Sequence, residues 1–71
     1  EALVSMDMAQ NLLVIKTVSG MAMAAAAALD DMHLPEVVGC IAGDNTIMCA
    51  IHSADEVVQV MDKIHRMMDS I

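Results

Sequence analysis

The chain has 71 residues, 58% of them hydrophobic and none aromatic, and ten Asp or Glu against three Lys or Arg give a formal net charge of −7. That length makes one domain, residues 1–71, and the charge excludes a segment that grips DNA by itself, because phosphate affinity comes from Lys and Arg. No apolar run approaches the ~20 residues of a membrane helix, so a soluble chain without membrane contact is expected.

A domain of this size buries only about 60% of the surface its unfolded form exposes. The core must be built from Val, Ile, Leu, Ala and nine Met, and there is more apolar surface than one small subunit can hide. The excess points to contacts between subunits. An acidic assembly favours a cationic small molecule or a basic partner surface. Two cysteines, no signal peptide and no Met at position 1 give the expectation of a cytoplasmic fragment of a longer protein.

Residues 3–8 alternate weakly and predict an edge strand, with Ala9, Gln10 and Asn11 as the turn that follows. Leu12 to Thr17 is a continuous aliphatic and β-branched run, the pattern of a central strand buried on both faces. Ser19 is placed to cap a helix beginning near Met21. From Met21 to Leu29 the residues are almost all Ala or Met, strong helix formers, and apolar around most of the cylinder. This helix ends at Asp30 and Asp31, where carboxylates oppose the partial negative charge of a helix C-terminus. Pro35 forbids its continuation. Strands are predicted over Val37 to Ala42 and Thr46 to Ile51. Ser53 with Glu56 three residues later is a capping box that starts a last helix. Val57, Val60, Met61, Ile64, Met67, Met68 and Ile71 make its apolar stripe, and Glu56, Gln59, Asp62, Lys63, Arg66 and Asp69 its wet side.

Gly39 to Ile47 reads as a hairpin with Asp44 and Asn45 at its tip, residues that tolerate left-handed turn conformations. A two-residue loop sets Ala42 opposite Ile47, Cys40 opposite Cys49 and Val38 opposite Ile51 on one face, leaving Val37, Ile41, Met48 and Ala50 on the other. Both faces are apolar. The order ββαββα predicts an α+β two-layer sandwich, a four-stranded antiparallel sheet with two helices on one face. Two helices cannot cover two faces, so a closed symmetric homo-oligomer is expected.

The segment Gly39-Cys40-Ile41-Ala42-Gly43-Asp44-Asn45-Thr46-Ile47 resembles the Gly-Thr-Ile-Ala/Cys-Gly-Asp-Asp-Thr-Ile signature of the C-terminal domain of bacterial arginine repressors. Leu12 to Thr17 followed by Ser19-Gly20 is similar to that family's strand leading into a Pro-Gly helix start, Leu29-Asp30 to its helix end, and the amphipathic tail to its last helix. The resemblance implies a hexamer, a dimer of trimers, that binds L-arginine between trimers and thereby tunes DNA binding in transcription regulation of arginine metabolism. DNA would be held by an N-terminal winged helix-turn-helix domain that this chain lacks. Position by position, it implies that Asp44 pairs with the arginine guanidinium, that Asp30 lies near the ligand's amino group, and that Ala42 offers backbone contacts. A carboxylate suits the first role, because the planar guanidinium presents donors that it can accept in parallel.

Three positions depart from the pattern: Asn45 replaces the second Asp, Cys40 the usual Thr, and Met23 a Gln or His. Losing a carboxylate removes a charge-assisted bond of roughly 1.5–3 kcal/mol, and a thioether is a weak acceptor. Two readings therefore stand, an arginine sensor and an oligomerisation module that has lost or altered its effector. Outside the resemblance, Asp44 is an ordinary turn residue. Cys40 and Cys49 are either a cross-strand redox pair or two buried thiols acting as small hydrophobes, and a reducing cytosol favours the second. His33, His52 and His65 have no metal-ligand spacing with the cysteines. No nucleophile pairs with a base and no Gly-rich phosphate loop occurs, so neither an enzyme nor a cofactor is expected.

Overall fold

The computed structural model describes residues 3–69, with side chains as far as residue 67. The elements are β1 (Leu3–Ala9), β2 (Leu12–Thr17), α1 (Ala22–Asp31), β3 (Val37–Ala42), β4 (Thr46–Ile51) and α2 (Val57–Asp69), the last entered through a single 3-10 turn over Ala54–Glu56. The strands form one sheet in the order β1-β2-β4-β3 with every neighbouring pair antiparallel. This is the expected ββαββα sandwich. The run richest in Leu, Ile and Val, β2, takes a central place beside β4.

Period-two alternation sorts the sheet into faces. Leu13, Ile15 and Thr17 of β2 and Ile47, Cys49 and Ile51 of β4 are buried on one of them. Against them pack Ala22, Ala25 and Leu29 from α1 and Val57, Val60 and Ile64 from α2, in one contiguous core. The small Ala side chains let α1 approach closely. Its other sides stay open, however, and only this stripe of the all-apolar cylinder is covered. In α2 the expected stripe holds as far as Met67, while Met68, Asp69 and Ile71 lie outside the described side chains.

Among the described residues no helix covers the second face. Val14 pairs with Met48 and Met48 with Ile41, a row across β2, β4 and β3, with Leu12, Ala50 and Gly39 as the next row. Ile41 is 79% and Met48 49% exposed. The expectation that β2 is buried on both faces therefore holds on the helix side alone within one chain, where Leu12 and Val14 are half-buried and Lys16 is exposed.

Several local expectations are corrected. A bulge between Val37 and Gly39 makes Val37 the partner of Ile51, so Val37 joins the helix face and Val38, the extra residue, is 62% exposed. Edge strand β1 also shifts register, between Leu3 and Ser5; bulges are concentrated on edges, where they discourage pairing with further strands. Ser19 does not cap α1. The cap position is Met21, without a side-chain bond, and Gly20 makes the turn at φ 81°. The helix does end at Asp31 as expected, with Met32 as its cap residue and left-handed His33, φ 52°, turning the chain away before Pro35 is reached. Asp44 and Asn45 form the two-residue tip without left-handed φ, since among the described non-glycine residues that conformation falls at Gln10 and His33. In the capping box Ser53 Oγ donates to Glu56 Oε1 at 2.7 Å, side chain to side chain, and not to the backbone.

One polar contact sits in the α1–β3 connection. Lys63 Nζ of α2 donates to Glu36 Oε2 at 2.7 Å, and Glu36 is buried with Oε1 lacking a partner. Its carbonyl accepts from His52 N–H beyond β4. The Lys63 hydrogen bond holds the Glu36 carboxyl below its ordinary value of 4.5. A depressed folded value means that the contribution is full above pH 4.5 and is lost as pH falls through the lower folded value. Lys63→Met should therefore lower the urea midpoint at pH 7, and the gap to the parent should narrow as pH is taken below 4.5. A gap that stays constant over that range would show that the ion pair contributes nothing.

Candidate functional site

The β3–β4 tip is held by the chain it lies against. Thr17 N–H donates to Asn45 O at 2.8 Å, Ala22 N–H donates to Asp44 O at 3.2 Å, and Gly43 N–H closes the hairpin on Thr46 O at 2.9 Å. These main-chain bonds dock the tip on the junction between β2 and α1. Side chains add to them: Ser19 Oγ donates to Asp44 Oδ2 at 3.1 Å, Lys16 Nζ to Thr46 Oγ1 at 2.9 Å, and Thr46 Oγ1 to Asn45 Oδ1 at 2.9 Å. Asp44 is exposed, and one serine donor leaves a carboxylate capacity for further donors. An anionic acceptor is thus presented to solvent on a backbone tied by three main-chain bonds.

The other residues singled out in the sequence spread along the seam between α1 and the edge strand β3. Met23 lies one position beyond Ala22 and is 71% exposed, at the same end as Asp44. Ala42, half-buried, ends β3 opposite Ile47. Cys40 is half-buried opposite Cys49. Asp30 is exposed at the far end of α1, about 12 Å along the axis from Ala22 at 1.5 Å per residue. Its charge reaches the Cys40 and Cys49 thiols, both pushed up chiefly by burial. Asp30 and His33 border a cleft of about 330 Å³ with Val38 and Gly39. Asp44 and Asn45 thus share the tip at the α1 start, where Met23 follows the Ala22 that bonds Asp44, while Asp30 lies near Cys40 at the other end of the helix.

Sequence reading missed Ser19 and Lys16 as neighbours of the tip. Ser19 and Asp44 are 25 positions apart, Lys16 and Thr46 30 apart, and no local spacing announces such contacts. Among the described residues no three His, Cys, Asp or Glu gather to hold a metal ion, and no helix is long and apolar enough to cross a membrane.

Fold and site together define a small α+β domain with one uncovered apolar sheet face and carboxylates on its rim. The family described as arginine repressor, C-terminal domain, matches residues 1–66. An arginine repressor of Lachnoclostridium phytofermentans is 56% identical over 69 residues, covering 97% of this chain and 45% of the relative. That of Lachnospira eligens is 57% identical over 67 residues, 94% of this chain and 44% of the relative, and that of Acetivibrio thermocellus 43% identical over 67 residues with the same coverage. The chain belongs to the arginine repressor C-terminal domain family. This is a family of transcriptional regulators and not of enzymes. The chain spans less than half the length of these relatives.

The docking of the tip is open to direct test. A double-mutant cycle of Ser19→Ala and Asp44→Ala should give a coupling of about 0.2–1 kcal/mol in urea unfolding, the scale to which solvent screening reduces an exposed charged contact. A coupling of zero would mean that the two side chains do not hold each other.

Proposed function

We propose that this chain is the L-arginine-sensing and hexamerisation domain of a cytoplasmic transcriptional regulator of arginine metabolism. The observation that carries the reading is Asp44, an exposed carboxylate on a tip fixed by main-chain bonds, in a chain of this family. The guanidinium of arginine would dock on Asp44, with the Asn45 side-chain oxygen as a neutral acceptor beside it. The ligand's amino group would lie near Asp30, Ala42 would contribute backbone, and Met23 and Cys40 would border the ligand. Because Asp44 and Asp30 sit at opposite ends of α1, carboxylates acting on one arginine come from different subunits. This fits a ligand held between trimers in a dimer of trimers. Binding to the assembled form then stabilises it by mass action. The net charge of −7 favours a cationic ligand and leaves DNA to an N-terminal winged helix-turn-helix domain outside this chain.

A second reading, an oligomerisation module with lost or altered effector binding, rests on a specific observation. Asn45 Oδ1 already accepts from Thr46, and Met23 offers only sulfur. Calorimetry with arginine, ornithine, lysine and citrulline separates the two. The sensor gives heat with arginine and none with neutral citrulline; no heat with any of them at millimolar ligand would leave only the assembly role. Asp44→Asn should weaken arginine binding at least tenfold, as expected for a lost charge-assisted pair, and Asp31→Asn should leave it nearly unchanged. Equal losses would put the site elsewhere. Asn45→Asp should tighten binding.

A further inference from the structure

Cys40 and Cys49 face each other across β3 and β4 with their sulfurs 2.7 Å apart. The register explains the approach. Gly43 N–H bonds Thr46 O, so along an antiparallel ladder the hydrogen-bonded pairs fall at Gly43–Thr46, Ile41–Met48 and Gly39–Ala50. Cys40–Cys49 is consequently a pair without ladder bonds between its residues, the kind in which Cα atoms stand ~4.5 Å apart and side chains come closest. That spacing lies within the ~4.4–6.8 Å that a disulfide spans. The two thiols also differ in access: Cys49 lies in the core, whereas Cys40 is half-buried on an edge strand.

We propose that Cys40 and Cys49 are an oxidation site that closes to a disulfide within one chain by exchange with a small disulfide such as oxidised glutathione. Cys40 loses its proton and its sulfur attacks one sulfur of the oxidant, forming a mixed disulfide and expelling one glutathione thiolate. Cys49 then gives up its proton and attacks the Cys40 sulfur, expelling the second. The cysteine pair is oxidised by two electrons, the glutathione disulfide is reduced, and the released protons end on the two glutathione thiols. Burial, aided by the charge of Asp30, raises both cysteine thiols. Few thiolates are then present and closure is slow, but the same shift makes these sulfurs poor leaving groups and the finished bridge resistant to reduction. The inference stands on the ladder and does not depend on arginine binding.

The test incubates the 71-residue chain in glutathione buffers of rising oxidised fraction, quenches with acid, and treats the chain with maleimide before intact-mass and peptide analysis. The expected product has lost two hydrogens, takes up no maleimide, remains a single chain on a non-reducing gel, and yields a peptide joining Cys40 to Cys49. It should melt higher than the reduced form, since the bridge restrains the unfolded chain without moving the ladder. In Cys49→Ser the remaining Cys40 should take up one glutathione, while in Cys40→Ser the buried Cys49 should stay unmodified. Chains carrying only glutathione adducts, chain-to-chain dimers, two maleimide-reactive thiols at the most oxidising ratio, or a lower melting point on oxidation would each overturn the proposal.

Discussion

The constraint on which the structure depends is that a sheet has two faces and this chain supplies helices for one. Ile47, Cys49 and Ile51 of β4 face α1 and α2, and Met48 and Ala50 on the same strand face away from them. Alternation makes this unavoidable, because a strand apolar at every position sends alternate side chains to opposite sides. Satisfying the first face builds the subunit core from small and medium aliphatic groups. The second face, with Met48 at its centre and Ile41 on its edge strand, remains a standing cost in water for a lone copy.

That sided arrangement also positions the rim. The helices meet the sheet on the side of Cys40 and Ala42, so the α1–β3 seam carries Asp30 at one end and Asp44 at the other. The tip is fixed less by its own turn than by bonds from Thr17 and Ala22, which belong to the β2–α1 junction. Strand ladder, helix start and hairpin tip thus meet at one corner, with Asp44 at its outer surface. A local loosening at Ser19 or Thr17 reaches the carboxylate directly.

Much of this was legible from residues alone. The β-rich runs around Asp44-Asn45 gave β3 and β4 their observed ends, and the Ala–Met run gave α1 to within a turn. What escaped has physical causes. A period-two projection counts residues evenly and contains no sign of the extra Val38, so it puts Val37, the strand residue before it, on the wrong face. Ser19 has the chemistry of a cap, but a hydroxyl takes the best nearby acceptor, and the fold brings Asp44 to it. Left-handed backbone fell to Gln10 and His33, where a hairpin and a helix end required it, and not to the more tolerant Asp44 and Asn45. The candidate arginine residues were identified by resemblance to a motif. Their division between two ends of α1 is a matter of tertiary geometry that no motif expresses.

The central claim concerns the uncovered face, and sedimentation equilibrium of dilute protein measures it most directly. The account predicts a mass above that of one chain for the parent. It predicts a folded single chain for Met48→Lys, whose charge would stand in the middle of the apolar row, on the face turned away from the helix-side core. A parent chain that sediments as a stable, fully folded single subunit would contradict it.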